Sequence, residues 1–121
     1  MSKLILVVED QEDNRRILRD LLTSADYEMT EAENGEEALA AVAKNRPDLI
    51  LMDIQLPVLD GYEATRRIKA DPTLKDIPVI AVTSYALSGD EAKARAAGCD
   101  DFVPKPYSPR QLLAKIRGFL R

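Results

Sequence analysis

Three continuous apolar segments constrain the fold of this chain more than any other feature of its sequence. They cover residues 4–8, 49–52 and 79–82, and each has the length of a β-strand. The first and third are rich in β-branched residues, which favour strands. Because these segments do not alternate with polar residues, we expect strands buried on both faces, as in a parallel sheet.

Helical patterns lie between these segments and two weaker strand candidates, residues 28–32 and 101–103. Each pattern places apolar side chains on one helical stripe, which we expect to be buried. In chain order the stripes are Ile17, Leu18, Leu21, Leu22 and Ala25; Ala38, Leu39, Ala41 and Val42; Ala64 and Ile68; and Leu112, Leu113, Ile116, Phe119 and Leu120.

Helix start signals support the same division. Asn34, Asp60, Ser88 and Ser108 are each followed three residues later by Glu or Gln, as in a capping box, and Gly98 is placed to end the fourth helix. The elements therefore alternate as (βα)₅. With short, right-handed crossovers, this order predicts an α/β fold with a doubly wound, five-stranded parallel sheet.

Length and charge exclude several classes of protein. The chain has 121 residues, which suits one domain over residues 1–121, and its net charge of −4 argues against non-specific nucleic-acid binding. The apolar segments are much shorter than the roughly 20 residues of a membrane span, and the first runs into Glu9 and Asp10 rather than a small-residue cleavage site. We expect a cytoplasmic protein that binds neither nucleic acid nor membrane.

The chain contains no histidine and a single cysteine, Cys99. This composition excludes Ser-His and Cys-His dyads, histidine-ligated zinc and an internal disulfide. Cys99 is best interpreted as a small buried apolar residue. A bound metal is therefore expected to be a hard cation with oxygen ligands.

The basic residues are concentrated near the end of the chain. Residues 104–121 contain five basic side chains and no acidic one, which is typical of a solvated helix face. We expect this basic segment to be opposed by acidic residues of the preceding helix and strand. They are Asp90, Glu91, Asp100 and Asp101.

Polar residues follow the buried strands at the edge where open α/β sheets bind ligands. Glu9 and Asp10 follow the first strand, Asp53 the third, Thr83 the fourth and Lys105 the fifth. Clustered carboxylates repel one another unless a cation joins them, and Mg²⁺ prefers such ligands. A carboxylate can also form an aspartyl phosphate, whose phosphoryl oxygens a lysine would neutralise.

Taken singly, most of these residues have an ordinary structural explanation. An acidic residue after a strand is often only a helix N-cap, and threonine is common at strand ends. Asp53 is harder to explain in this way, because an unpaired carboxylate at the end of a buried strand is costly. The joint arrangement is the stronger signal.

Four motifs, at residues 8–10, 51–57 with 60–61, 81–84 and 105–106, resemble the signature of response-regulator receiver domains in order and spacing. Residues 47–57, 89–91 and 98–99 are similar to stand-alone cell-division regulators within that family. The resemblance implies a flavodoxin-like sheet with strand order 2-1-3-4-5. It also implies a phosphorelay switch that accepts a phosphoryl group from a histidine kinase or histidine phosphotransfer protein and changes its protein-binding face.

The resemblance implies a role for each site residue. Asp53 is the phosphoacceptor, and Asp10, Asp53 and the backbone carbonyl of Gln55 ligate Mg²⁺, with Mn²⁺ as an alternative. Glu9 reaches the metal mainly through water, and Thr83 and Lys105 hold the phosphoryl oxygens. Pro57 and Gly61 shape the loop after the acceptor, and the Lys105-Pro106 peptide bond is cis.

Two residues depart from the common family pattern. Glu9 stands where many members carry aspartate, and the switch aromatic that works with Thr83 is Phe102 rather than tyrosine. Without a hydroxyl, Phe102 is expected to favour a buried orientation. Gln55 and Tyr85 flank the path of an attacking water, which predicts a long-lived phosphorylated state.

The expected partners are the phosphodonor and a downstream protein, and the expected state is a monomer or a weak dimer that depends on phosphorylation. Such a chain assists its own phosphoryl transfer and slow autodephosphorylation but is not an enzyme. Two other classes of protein use a similar fold or nucleophile. An aspartate-nucleophile phosphohydrolase usually has a second acid two residues after the nucleophile, where this chain has Gln55, and a nucleotide or flavin carrier needs a glycine-rich phosphate loop that this sequence lacks.

Overall fold

Five strands alternate with five helices along the chain. The computed structural model describes residues 3–83 and 90–120. The elements are β1 (Leu4–Val8), α1 (Glu12–Ser24), β2 (Glu28–Ala32), α2 (Gly35–Lys44), β3 (Leu49–Asp53), α3 (Gly61–Ala70), β4 (Val79–Thr83), α4 (Asp90–Ala97), β5 (Asp101–Pro104) and α5 (Pro109–Phe119).

The strands form one parallel sheet in the order β2-β1-β3-β4-β5, which confirms the predicted fold and strand order. β3, β4 and β5 each continue one residue beyond the prediction, to Asp53, Thr83 and Pro104. The polar residues at these ends therefore belong to the sheet ladder. Their positions are fixed by strand register rather than by loop conformation.

The sheet separates two hydrophobic cores, because successive side chains of a strand point to opposite faces. In β1, Ile5 and Val7 pack with α1 and α5, whereas Leu6 and Val8 pack with α2, α3 and α4. β3 follows the same rule, with Leu49 and Leu51 in the first core. Burial on both faces explains why these segments are continuously apolar.

Three of the predicted helix starts are confirmed by side-chain caps. Asn34, Asp60 and Ser108 accept hydrogen bonds from the backbone N–H groups of Glu37, Glu63 and Gln111. Gly98 ends α4 with a φ of 103°, a conformation that favours glycine. Ser88, the fourth predicted cap, lies outside the described residues.

Two residues predicted on buried helix stripes are exposed. Ile17 is 57% exposed and Phe119 is 38% exposed, whereas their neighbours Leu18 and Ile116 are buried. Ile17 lies about 100° around α1 from Leu18, so it sits at the flank of the buried stripe rather than at its centre. The prediction that these two side chains are buried is wrong.

Of the four acidic residues predicted to oppose the basic final segment, Asp101 does so, because Lys115 of α5 contacts it at 3.0 Å. Glu91 instead contacts Arg95 of its own helix at 3.6 Å, and the side chain of Asp90 lies outside the described part of the chain. Asp100 instead contacts Lys69 of α3 at 2.8 Å and accepts the backbone N–H of Val79. Asp100 therefore joins α3 to the start of β4. No helix in the described part of the chain is long and apolar enough to cross a membrane.

Gly61 allows α3 to begin directly against the end of β3. Its N–H donates to the Ile54 carbonyl at 3.1 Å. A Cβ at this position would lie 2.8 Å from the Ile54 Cα and closer still to the Asp53 carbonyl oxygen. A larger residue would therefore push the helix away from the strand end.

We expect Gly61→Ala to lower the free energy of unfolding by about 1–3 kcal/mol, the usual cost of overpacking. Gly118→Ala is the matched control, because a Cβ there meets no atom within 4 Å. It should leave stability unchanged or raise it by up to about 1 kcal/mol. Urea denaturation of both variants measures the difference, and equal effects would contradict the close-contact explanation.

Candidate functional site

Strand alternation brings charged side chains to one side of the sheet edge. Glu9 follows Ile5 and Val7 with a spacing of two, and Asp53 follows Leu49 and Leu51 in the same way. Both carboxylates therefore continue the face that packs against α1 and α5. They emerge where β1 and β3, which are neighbours in the sheet, come to an end.

Lys105 joins the two carboxylates. Its Nζ lies 2.8 Å from Glu9 Oε1 and 3.3 Å from Asp53 Oδ2. Glu9 is 3% exposed and Asp53 is 6% exposed, so both acids depend on internal partners for their charge. The Lys105-Pro106 peptide bond is cis, as the resemblance implied.

The other oxygens of these acids are also bonded. Glu9 Oε2 accepts the backbone N–H of Gln11 at 2.9 Å, and Glu9 Oε1 accepts the side-chain amide of Asn14 at 3.4 Å. Asp53 Oδ1 accepts the backbone N–H of Gln55 at 3.1 Å. The loop after β3 therefore holds the Asp53 carboxylate in one orientation.

The three carboxylates form a compact acidic cluster. Glu9, Asp10 and Asp53 each offer an oxygen atom within 4.8 Å of the others, and Asp10 is the most exposed of the three. Burial, together with the negative charge of Glu9, raises the pKa of Asp53 to about 6 despite the nearby Lys105 ammonium. Burial also favours a higher pKa for Glu9, but hydrogen bonds from Lys105 and Gln11 outweigh it and lower that pKa.

This donor set fits a hard divalent cation. It is made of carboxylate oxygens, which Mg²⁺ prefers, and it includes an acid, Asp53, whose negative charge is disfavoured without a cation. One lysine charge balances only part of the charge of three acids. The predicted metal-binding residues Glu9, Asp10 and Asp53 are thus brought together, and Gln55 lines the same small recess.

Thr83 and Phe102 lie on the opposite face of the sheet. Thr83 is 2% exposed at the end of β4, where its carbonyl accepts the backbone N–H of Lys105. Phe102 pairs with Ala81 in the ladder and packs against the core under α2, α3 and α4. Phe102 is only half-buried, although its lack of a hydroxyl predicted a buried orientation. Tyr85 lies outside the described residues.

The sequence reasoning missed two residues of α1 that contact the acidic cluster. Asn14 donates to Glu9, and Arg15 donates from Nη1 to the Glu9 carbonyl oxygen at 2.8 Å. Both lie in the first turns of a helix that starts immediately after the acidic pair. Their position only five and six residues after Glu9, at the start of the next helix, was the sequence feature that could have indicated these contacts.

A cavity of about 560 Å³ adjoins the cluster on the side of α1 and α5. The exposed Ile17 borders it, which explains why no side chain covers that residue. Most of its wall comes from buried strand residues and from the segment after β5. The lining residues include Val7, Ile17, Leu51, Asp53, Val82, Lys105, Pro106 and Tyr107.

Most of this chain matches a known protein family. The response regulator receiver domain family matches residues 5–117. The polar-differentiation response regulator DivK of Brucella anthropi is 45% identical over 120 residues, which cover 99% of this chain and 98% of the relative. DivK of Brucella ovis is 43% identical over 120 residues, with the same coverage of both chains.

Solved structures agree. The receiver domain of the sensor histidine kinase PA1611 from Pseudomonas aeruginosa, with a magnesium ion coordinated in its active-site cleft, superposes with a TM-score of 0.92 at 37% identity, covering 99% of this chain and 98% of that one. The chemotaxis protein CheY4 of Vibrio cholerae gives a TM-score of 0.92 at 28% identity, covering 98% and 99%.

The raised pKa of Asp53 predicts a pH dependence of stability in the metal-free protein. The folded state binds this proton more tightly than the unfolded chain, whose value is near 3.8, so this contribution to stability is full below that pH and lost as pH rises through about 6. In EDTA, the thermal midpoint of the parent should therefore fall relative to that of Asp53→Asn as the pH rises from about 5 to about 7, roughly one pH unit on either side of the pKa of Asp53.

Thermal unfolding of both proteins across that range measures the effect. Added Mg²⁺ should recover stability in the parent more than in Asp53→Asn, because the variant has lost one negative charge of the acidic cluster. If the thermal midpoints of the two proteins changed in parallel with pH, the pKa of Asp53 would not be raised in the folded state.

Proposed function

This chain belongs to the response regulator receiver domain family and is a phosphorelay signalling switch; we propose that Asp53 is the residue that accepts the phosphoryl group. The observation that carries this assignment is the joint contact of Lys105 with Glu9 and Asp53 beside Asp10. We further propose that residues 1–121 act as one receiver domain.

Asp53 has the properties of a poised nucleophile. A hydrogen bond from the Gln55 backbone holds one of its oxygens, and Lys105 lies near the other. In the transfer, a carboxylate oxygen forms a bond to phosphorus while the bond from phosphorus to the donor's imidazole nitrogen breaks, and the electron pair leaves with that nitrogen. The donor histidine must come from outside residues 1–121, because these residues include none.

The cation belongs in the acidic recess. Asp10 and Asp53 would bind Mg²⁺ directly with the backbone carbonyl of Gln55, and Glu9 would bind it mainly through water, with Mn²⁺ as an alternative. When bound, the metal neutralises charge on the phosphoryl oxygens. Asp10 suits a direct ligand because it is the most exposed of the three acids, whereas Glu9 is already bonded to Lys105 and Gln11.

Lys105 and Thr83 would hold the phosphoryl group after transfer. Lys105 already lies 3.3 Å from Asp53, and a small movement of its flexible side chain exchanges a carboxylate for a phosphoryl oxygen. Thr83 ends the strand next to β3, one residue beyond the register partner of Asp53. Its hydroxyl, bonded to the phosphoryl group, would carry the change to the face of Phe102, which packs in the other core.

These groups assist phosphoryl transfer to the chain itself, so the protein acts as a switch and not as an enzyme that turns over a substrate. Loss of phosphate requires a water aligned opposite the aspartyl oxygen. Gln55, which is exposed beside Asp53, is not a base that could activate that water. We therefore propose a long-lived phosphorylated state.

The phosphodonor would dock over the cavity between α1 and α5. Asp53 and Lys105 line this cavity, and the exposed apolar Ile17 lines it as well. A donor histidine that reaches Asp53 must therefore bring its own surface over Ile17. An apolar contact at this position would contribute to the affinity for a histidine kinase or phosphotransfer protein.

Asp53→Asn should abolish labelling by acetyl phosphate and Mg²⁺, because the amide is a poor nucleophile. Intact-mass spectrometry of the parent should show the gain of one phosphoryl group. Asp20→Asn is a matched control, because Asp20 is an exposed aspartate of α1 outside the acidic cluster, and it should be labelled like the parent. Undiminished labelling of Asp53→Asn would contradict the assignment.

Ile17→Ser should slow phosphoryl transfer from a phosphorylated histidine kinase that labels the parent, by about tenfold if the contact contributes about 1.4 kcal/mol. Labelling by acetyl phosphate should be unchanged, because that small donor needs no docking surface. Phe119→Ala removes an exposed apolar side chain at the C-terminal end of α5, whereas the cavity is lined by Pro109 at the N-terminal end, so this variant should affect neither rate. Equal rates of kinase-dependent transfer for Ile17→Ser and the parent would exclude this docking site.

A further inference from the structure

Arg15 is a buried cation next to the acidic cluster, with no role in the reaction described so far. Its side chain is 9% exposed, although it lies in the second turn of α1. A guanidinium in such a place is costly unless its N–H groups are bonded and its charge is balanced. Its partners therefore indicate what it holds in place.

One of its hydrogen bonds goes to the backbone of the acidic cluster. Nη1 donates to the Glu9 carbonyl oxygen at 2.8 Å, and this contact is buried. The Glu9 N–H donates to the Ala32 carbonyl at the end of β2 at 3.0 Å. Both backbone polar groups of Glu9 are thus fixed, one by the sheet and the other by Arg15.

The bonded carbonyl belongs to the peptide group that links Glu9 to Asp10. A peptide group is planar, so holding its oxygen fixes the directions in which the chain leaves towards both residues. Asp10 has no strand partner of its own, because β1 ends at Val8. The orientation of its carboxylate relative to Asp53 depends on this peptide plane.

The other two nitrogen atoms of the Arg15 guanidinium contact glutamates. Nη2 lies 2.6 Å from Glu12 and 3.7 Å from Glu33, and Nε lies 3.2 Å from Glu31. These contacts fix the plane of the guanidinium, so its bond to the Glu9 carbonyl has one direction. They also balance its charge, which would otherwise oppose a cation in the neighbouring recess.

We propose that Arg15 is a positioning residue for the metal site, which sets the peptide between Glu9 and Asp10 so that their carboxylates and Asp53 face one cation. This inference rests on the proposed function, because it concerns the affinity of that site for Mg²⁺. Ligands of a metal site need supporting hydrogen bonds, and losing such a bond typically costs 10–100-fold in affinity.

Arg19 provides a matched control. It lies one turn further along α1 and contacts the same glutamates, Glu31 at 2.7 Å and Glu12 at 3.5 Å. In the described part of the chain, its hydrogen bonds are to Glu31 and not to the Glu9 carbonyl. Arg15→Met and Arg19→Met therefore both disrupt the glutamate network, but only the first frees the peptide of the acidic cluster.

The test is Mg²⁺ titration followed by amide chemical shifts, at a temperature where urea and thermal unfolding show each variant to be folded. Arg15→Met should weaken Mg²⁺ binding at least tenfold, and Arg19→Met should change it less than twofold. Arg15→Lys retains one donor for the carbonyl and should give an intermediate affinity. If Arg15→Met does not fold, Arg15→Lys against Arg19→Lys provides the same comparison.

The outcomes separate this inference from the proposed function. If the parent binds Mg²⁺ and the Arg15 and Arg19 variants lose affinity by equal factors, or not at all, Arg15 is not a positioning residue and the metal site stands. If the parent shows no Mg²⁺-dependent shifts, the proposed metal site fails and this inference fails with it. Selective loss in the Arg15 variants, partly restored by lysine, supports it.

Discussion

The crowding of negative charge at the end of the central strands is the constraint on which the rest of this site depends. Strand alternation directs Glu9 and Asp53 to the same side of the same sheet edge, where both are nearly inaccessible to water. Lys105 reaches both acids from the segment after β5, but one ammonium does not balance three carboxylates. Burial, together with the remaining repulsion from Glu9, raises the pKa of Asp53, and a site of this kind responds strongly to an added cation or phosphoryl group.

That response needs a rigid frame, and the apolar strands supply it. Leu51 and Met52 on the way to Asp53 are buried in opposite cores, so the strand cannot rotate without exposing one of them. Gly61 then brings α3 against the strand end, and the Gln55 N–H fixes the carboxylate. A change of charge at Asp53 would therefore act first on the side chains in contact with it, such as Lys105, rather than on the position of the sheet.

The sequence was sufficient for the features that depend on local pattern. Continuous apolar segments predicted the buried strands, and the start signals at Asn34, Asp60 and Ser108 predicted three helix caps. The cluster of Glu9, Asp10 and Asp53 also followed, because the carboxyl ends of parallel strands share one edge. In each case the relevant physics acts within one element or follows from the order of elements.

Features that depend on how elements meet were not predictable in this way. The periodicity of α1 includes Ile17, but its exposure depends on the cavity formed with the segment after β5. Asp100 could pair with several cations, and packing of α3 beside β4 selects Lys69. In the sequence, Arg15 resembles an ordinary surface arginine. Its burial and its bond to the Glu9 carbonyl depend on tertiary packing, which includes its contact with Glu31 of β2. The parts of the site that tune the acids therefore lie in tertiary contacts, which the local sequence pattern does not specify.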